Sequence, residues 1–276
     1  MTLLLLKCCV VFYLVVAILG LVQLRWPRLS GDRTVIIGLG LAVAVHGLAL
    51  ILRTLELAEL KELALQDGLS LFGFLAGVIA IGIARKNIPQ AAPLAAVLIT
   101  GIVFIAVWGT TGDQVPVRLR SPWLPVHIAT AVLGEASFAV AGLVAAVYLI
   151  QERRLKQKKK IAKTGTGLHK LPALELLDNV SVRLVLLGFP MMTIGLLAGA
   201  IYGKEVSGQY WTWGLLNTVS VTVWGLFALL LHFRLTIGWR GRKAALLTLV
   251  GVMATVLVMA GLALAGVGAH GSDYVS

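Results

Sequence analysis

Apolar residues run through this chain in eight long blocks separated by short polar links. The blocks are Leu3–Leu24, Thr34–Leu52, Leu69–Ala84, Ala91–Gly109, Leu124–Ile150, Val180–Tyr202, Trp213–Phe233 and Ala244–Val267. Each is close to the ~20 residues that a helix needs to cross a bilayer. The pattern therefore predicts eight membrane-spanning helices. No internal repeat divides the chain, so residues 1–276 are read as a single domain. No signal-cleavage pattern follows the first block, which is expected to stay as a membrane helix.

Two links are more than turns. Arg53–Gln66 (RTLELAELKELALQ) has leucines at helical spacing with acids between them, which predicts a short interfacial helix over residues 53–66 on the outer face. Residues 151–170 are strongly basic and contain Gly165 and Gly167, as in a solvated cytoplasmic loop lying near lipid headgroups.

Composition supports the membrane reading. The chain is 59% hydrophobic and 13% charged, about half the charged share of a soluble domain. The predicted class is an all-α polytopic integral membrane protein. The net charge of +12 does not point to nucleic acid, because the basic residues lie in the links beside anionic lipid. The first, third, fifth and seventh links hold 17 basic residues against four acids, whereas the second, fourth and sixth hold five against six. The positive-inside rule then puts the odd links in the cytoplasm and both termini on the periplasmic, outer side of a bacterial inner membrane. Cys8 and Cys9 are adjacent within the first block and form neither a disulfide framework nor a metal spacing.

Candidate chemistry is sparse. No Ser-His-Asp set, nucleotide loop or CxxCH site is present. Tyr210, Trp211, Trp213 and Trp224 stand close together in sequence. Such aromatics suit the membrane–water boundary and also make flat walls for a planar ligand, and both uses stay open. Of five histidines, His127 follows Pro122-Trp123-Leu124-Pro125 at the outer end of the fifth block, and His270 lies just beyond the outer end of the eighth. They share a face with the Trp211/Trp213 turn. Interfacial histidines fit this placement, and so do axial ligands of a six-coordinate haem. His46 falls mid-block and His232 near the cytoplasmic end of the seventh block, so their depths differ. His169, in the basic loop, takes no role. Glu135 is the one acid well inside a block, eight residues beyond His127. Interhelical hydrogen bonding and a relay or ligand-orienting role both suit it.

The stretch Gly208–Gly251 (GQYWTWGLLNTVSVTVWGLFALLLHFRLTIGWRGRKAALLTLVG) resembles the tryptophan-rich segment of the cytochrome c assembly, or haem-handling, family, which includes CcsA/ResC-, CcmC-, HemX- and YpjD-like proteins. The aromatic core, Trp224, the LHxR-like Leu231–Arg234 and the Gly238–Ala244 link carry the likeness, with Trp123–His127 and Gly268–Ser272 matching the flanking histidine segments. The resemblance implies His127 and His270 as external axial ligands of a non-covalent haem b. It further implies Tyr210, Trp211 and Trp213 as the platform, and His232, with His46 as its partner, as membrane haem ligands. It implies a haem handler or accessory component rather than a stand-alone enzyme, meeting an assembly partner protein or apocytochrome c. A HemX-like regulatory subunit and a b-type electron-transfer cytochrome are the alternatives. The family's carboxylates after the tryptophans are replaced here by Gly214 and by Leu215-Leu216-Asn217.

Overall fold

The computed structural model describes residues 2–26, 32–60, 65–86, 88–108, 121–158 and 172–264. These form eight α-helices: α1 (Thr2–Arg25), α2 (Asp32–Leu60), α3 (Leu65–Ala84), α4 (Ala91–Trp108), α5 (Trp123–Lys158), α6 (Leu174–Ser207), α7 (Leu215–Thr236) and α8 (Arg242–Leu264). The chain is thus all-α among the described residues. Each helix contains one of the eight apolar blocks or most of it. Among the described residues, α1 to α7 are long and apolar enough to cross a membrane.

Several helices outrun their apolar blocks, because backbone hydrogen bonding does not stop where hydrocarbon does. No glycine or proline stands between Gly47 and Gly68, so α2 continues unbroken through Arg53 to Leu60. The first part of the segment read as an interfacial helix is therefore the end of α2, and its last two residues open α3. Residues 61–64 lie outside the described residues. For the same reason α5 runs on to Lys158 through strong helix formers. The remainder of the basic loop lies outside the described residues.

The helices pack as two groups of four, α1–α4 and α5–α8, with α3 and α4 packed against α5. The most extensive pairing is α5 against α6. A Cβ on Gly134 would sit 2.9 Å from the Met192 backbone nitrogen, and one on Gly195 would sit 3.0 Å from Ala131. A Cβ on Gly188 would meet the Phe138 ring at 2.7 Å. Lipid gives helices little hydrophobic reason to associate, so backbones brought this close supply the attraction through dispersion. The contacts pair the start of α5 with the end of α6, so the two run antiparallel. The bundle end that holds the start of α5, the end of α6 and the start of α7 is the upper end, and the opposite one the lower end.

At the lower end, Arg234 of α7 grips Asp178 of α6 through both guanidinium nitrogens, Nη1 to Oδ1 at 2.9 Å and Nη2 to Oδ2 at 2.7 Å. The backbone N–H of Gly241, in the α7–α8 turn, donates to the same carboxylate at 3.1 Å. Gly241 has φ +65°, and a Cβ there would lie 2.8 Å from the Tyr148 hydroxyl of α5. One carboxylate thus ties together α6, α7 and the turn into α8, a bidentate arrangement that fixes angle as well as distance.

Candidate functional site

Ser121 sets the start of α5: its Oγ accepts from the Trp123 N–H at 3.1 Å, as an N-cap does, and Pro122 follows where a missing N–H costs nothing. That puts His127 just inside the upper end, facing α6. His127 Nδ1 lies 2.7 Å from the Gly195 carbonyl oxygen. A carbonyl only accepts, so Nδ1 carries the proton and the lone pair of the neutral ring resides on Nε2. Metal-ligating imidazoles are oriented in this way, with one nitrogen donating to a backbone carbonyl. The ring also occupies the space over Gly199, where a Cβ would come within 2.7 Å of Nδ1.

The aromatic turn lies at the same end. Gly208, with φ +78°, caps α6, and its carbonyl accepts from Lys204 Nζ at 2.7 Å. The Lys204 ammonium also sits 5.2 Å from the Tyr210 ring centroid. Trp211 and Trp213 meet edge to face, centroids 6.0 Å apart and planes at 75°. Trp213 is 80% exposed, Tyr210 is exposed and Trp211 is half-buried. Trp211 Nε1 is buried with no acceptor among the described residues. Asn217, in the first turn of α7, donates from Nδ2 to the Thr212 carbonyl at 2.9 Å and to Thr212 Oγ1 at 3.0 Å.

The remaining candidates stand elsewhere. Trp224 lies well into α7, ~14 Å along the axis from its start; it stacks on Phe189 and donates to Thr193 Oγ1 at 3.0 Å, joining α7 to α6 below the turn. His232 is exposed near the lower end of α7, 6.0 Å from the Phe233 ring. His46 is wholly buried among α1, α2 and α3. Its Nδ1 lies 3.2 Å from the Tyr13 hydroxyl and its Nε2 2.9 Å from Ser70 Oγ. The structure brings His127 to the same end as the Trp211/Trp213 turn, whereas His46 and His232 belong to different halves of the bundle. α8 leaves the Tyr148 end of α5 and passes Gly142 at Val252, so it runs antiparallel to α5 and ends at the upper end. His270 follows six residues after Leu264 and lies outside the described residues. Glu135 is half-buried on α5, with no hydrogen-bonding partner among the described residues. No group of three or more His, Cys, Asp or Glu gathers as a metal site among the described residues.

Tyr13, Ser70, Asn217 and Gly195 make contacts that sequence reading does not reveal, and for Tyr13, Ser70 and Gly195 the reason is the register between helices far apart in the chain. With both nitrogens of His46 engaged, His46→Leu strands the Tyr13 and Ser70 hydroxyls in the core, at about 1–3 kcal/mol for each group. The melting temperature in detergent is expected to fall clearly, and an unchanged value would count against the network.

A family model described as cytochrome c assembly protein matches residues 5–270. A cytochrome c biogenesis protein CcsA of Microcystis aeruginosa is 32% identical over 201 residues, covering 58% of this chain and 61% of the relative. The CcsA of Chlamydomonas reinhardtii is 35% identical over 152 residues, covering 55% and 41%. The CcsA of Gloeobacter violaceus is 29% identical over 210 residues, covering 60% and 62%. The chain thus spans less than two thirds of the length of these curated relatives.

Proposed function

Since the chain belongs to the cytochrome c assembly protein family, we propose that it is a haem-binding protein of cytochrome c biogenesis in a bacterial inner membrane, holding or presenting haem at the outer face. All eight helices cross in this reading. Charge asymmetry of the links supports an outer location for the upper end and for both termini. The observation that carries the reading is the His127 Nδ1 donation to the Gly195 carbonyl, which orients Nε2 as a ligand. His270 would be the second residue to hold the haem in this proposal.

The residues at the upper end fit the group. Trp211 and Trp213 offer apolar ring surface to a planar macrocycle. The buried Trp211 indole N–H is a donor that a carboxylate on the edge of such a ligand would satisfy. His232 and His46 are proposed to meet haem within the membrane on the family resemblance alone, and His46 would first have to release Tyr13 or Ser70, which engage both of its ring nitrogens. Haem supplies the redox-active iron and the vinyl groups to which cysteine thiols add. The protein's part is to hold, orient and shield, so that an assembly partner or apocytochrome c meets a fixed target. Glu135, ~12 Å further along α5 than His127, is assigned to orienting a ligand or relaying a proton at that depth.

A second reading, an accessory or regulatory subunit that keeps the fold without the haem, draws support from Gly214 and Asn217 in place of the family's carboxylates. Purification in mild detergent separates the two. A haem handler shows a Soret band with bis-imidazole character, and deletion of its gene abolishes covalent haem in c-type cytochromes. A protein that stays colourless with haem supplied, together with normal cytochrome maturation, would reject the proposal.

A further inference from the structure

We propose that Asn217 is a positioning residue: it sets the geometry of the Trp211–Trp213 pair and thereby the affinity of the upper end for a planar aromatic ligand. The inference rests on the ligand class proposed above and adds to it the residue that shapes the receiving surface.

A polar side chain at the third position of a helix ordinarily turns back to the N–H at the helix's own N-cap. Asn217 does something else. The N-cap of α7 is Gly214, which has no side chain to cap with, and Asn217 reaches past it. Both Nδ2 contacts fall on one residue, the Thr212 carbonyl at 2.9 Å and Thr212 Oγ1 at 3.0 Å. Thr212 lies between the two tryptophans. Holding its carbonyl fixes the peptide plane that leads into Trp213, and holding its hydroxyl fixes the Thr212 rotamer. The turn is pinned at its other margin by Lys204, whose ammonium holds the Gly208 carbonyl and covers the Tyr210 ring. Polar side chains from both flanking helices thus hold the segment 208–214, while the Trp211 indole N–H has no acceptor among the described residues. Trp213 is largely exposed, so packing alone does not place its ring, and the anchor at Thr212 sets the backbone from which the ring projects toward Trp211.

The donor character of residue 217 is what the arrangement requires. A carboxylate of the same size only accepts, and it would face the Thr212 carbonyl oxygen with like partial charge. Asn217→Asp therefore keeps the volume and turns the contact with the Thr212 carbonyl into a repulsion, while the Thr212 hydroxyl alone could rotate to donate to the carboxylate.

The test uses the full chain in mild detergent. Two indoles 6.0 Å apart with planes at 75° couple as excitons, and Trp213→Phe identifies their couplet in the circular dichroism spectrum. Asn217→Asp is expected to lose the couplet as Trp213→Phe does, and to weaken haemin binding about tenfold, the scale of one or two neutral hydrogen bonds. Thr212→Val, which removes one acceptor without adding charge, is expected to diminish the couplet in the same sense. A couplet that survives in both variants, or one that is lost while haemin affinity stays unchanged, overturns the proposal. Failure of the wild type to bind haemin would refute the proposed function instead, and the couplet comparison would still decide whether Asn217 shapes the pair.

Discussion

Replacing His127 with alanine is expected to strip the purified protein of most of its haem and to leave the remainder five-coordinate and high-spin. The expectation follows from what the ring does in the structure. Its Nδ1 proton is committed to the Gly195 carbonyl at 2.7 Å, so under the proposed function Nε2 would be the atom that meets the iron. Loss of a group that merely orients a ligand costs about 10–100-fold in metal affinity, and loss of the ligand itself is expected to cost at least that. The alanine variant also leaves a ring-sized gap over Gly199, into which free imidazole fits. Restoration of the low-spin spectrum by added imidazole would show that the fold survives and that a ligand alone is missing. An unchanged Soret band in His127→Ala would remove this histidine from the assignment.

The second large effect is expected at the opposite end. Arg234→Leu removes both charge-assisted bonds to Asp178 and leaves a carboxylate whose side chain is only 13% exposed. Breaking one partner of a buried pair costs about 3–5 kcal/mol, largely because the other charge stays behind. A large drop in the unfolding midpoint in detergent is the expected result. Adding Asp178→Leu to the same protein removes the stranded charge, so the double variant is expected to recover part of the loss. The Gly241 N–H loses its acceptor in that variant, which is why recovery is not complete. A single variant as stable as wild type would show that the clamp contributes nothing to the fold.

Much of the helical architecture is legible in the sequence, because long apolar blocks have one solution in lipid. The described helices follow those blocks, and where they differ they are mostly longer: α2 passes Leu52 to reach Leu60, and α6 begins at Leu174 rather than Val180. Hydropathy marks the bilayer slab, whereas a helix ends where caps and breakers end it. The candidate site is legible only in part. That His127 and the aromatic turn share one end follows from counting crossings. That His127 meets Gly195, 68 residues away, does not, since no periodicity encodes which rung of one helix faces which rung of another. Trp224 illustrates the converse: its closeness to Trp213 in sequence is undone by the rise of α7, which carries it down to Thr193. Asn217 is visible in the sequence as an amide where the resembling motif has an acid, but its partner two residues before the N-cap emerges only from the path of the turn.

The face of α6 that seats His127 carries a glycine at every turn, Gly195, Gly199 and Gly203. Slipping α6 past α5 by one turn, about 5.4 Å, would bring Gly199 and Gly203 to where Gly195 and Gly199 stand now. The imidazole would find an equivalent berth, so the upper part of this interface does not by itself choose between two alignments. Gly188 makes the choice. The same slip would carry Met192 into the notch that Gly188 leaves for the Phe138 ring, and a side chain would then collide where a hydrogen atom now suffices. Which carbonyl the histidine addresses near the membrane surface is thus decided by a phenylalanine about three turns deeper in the bundle.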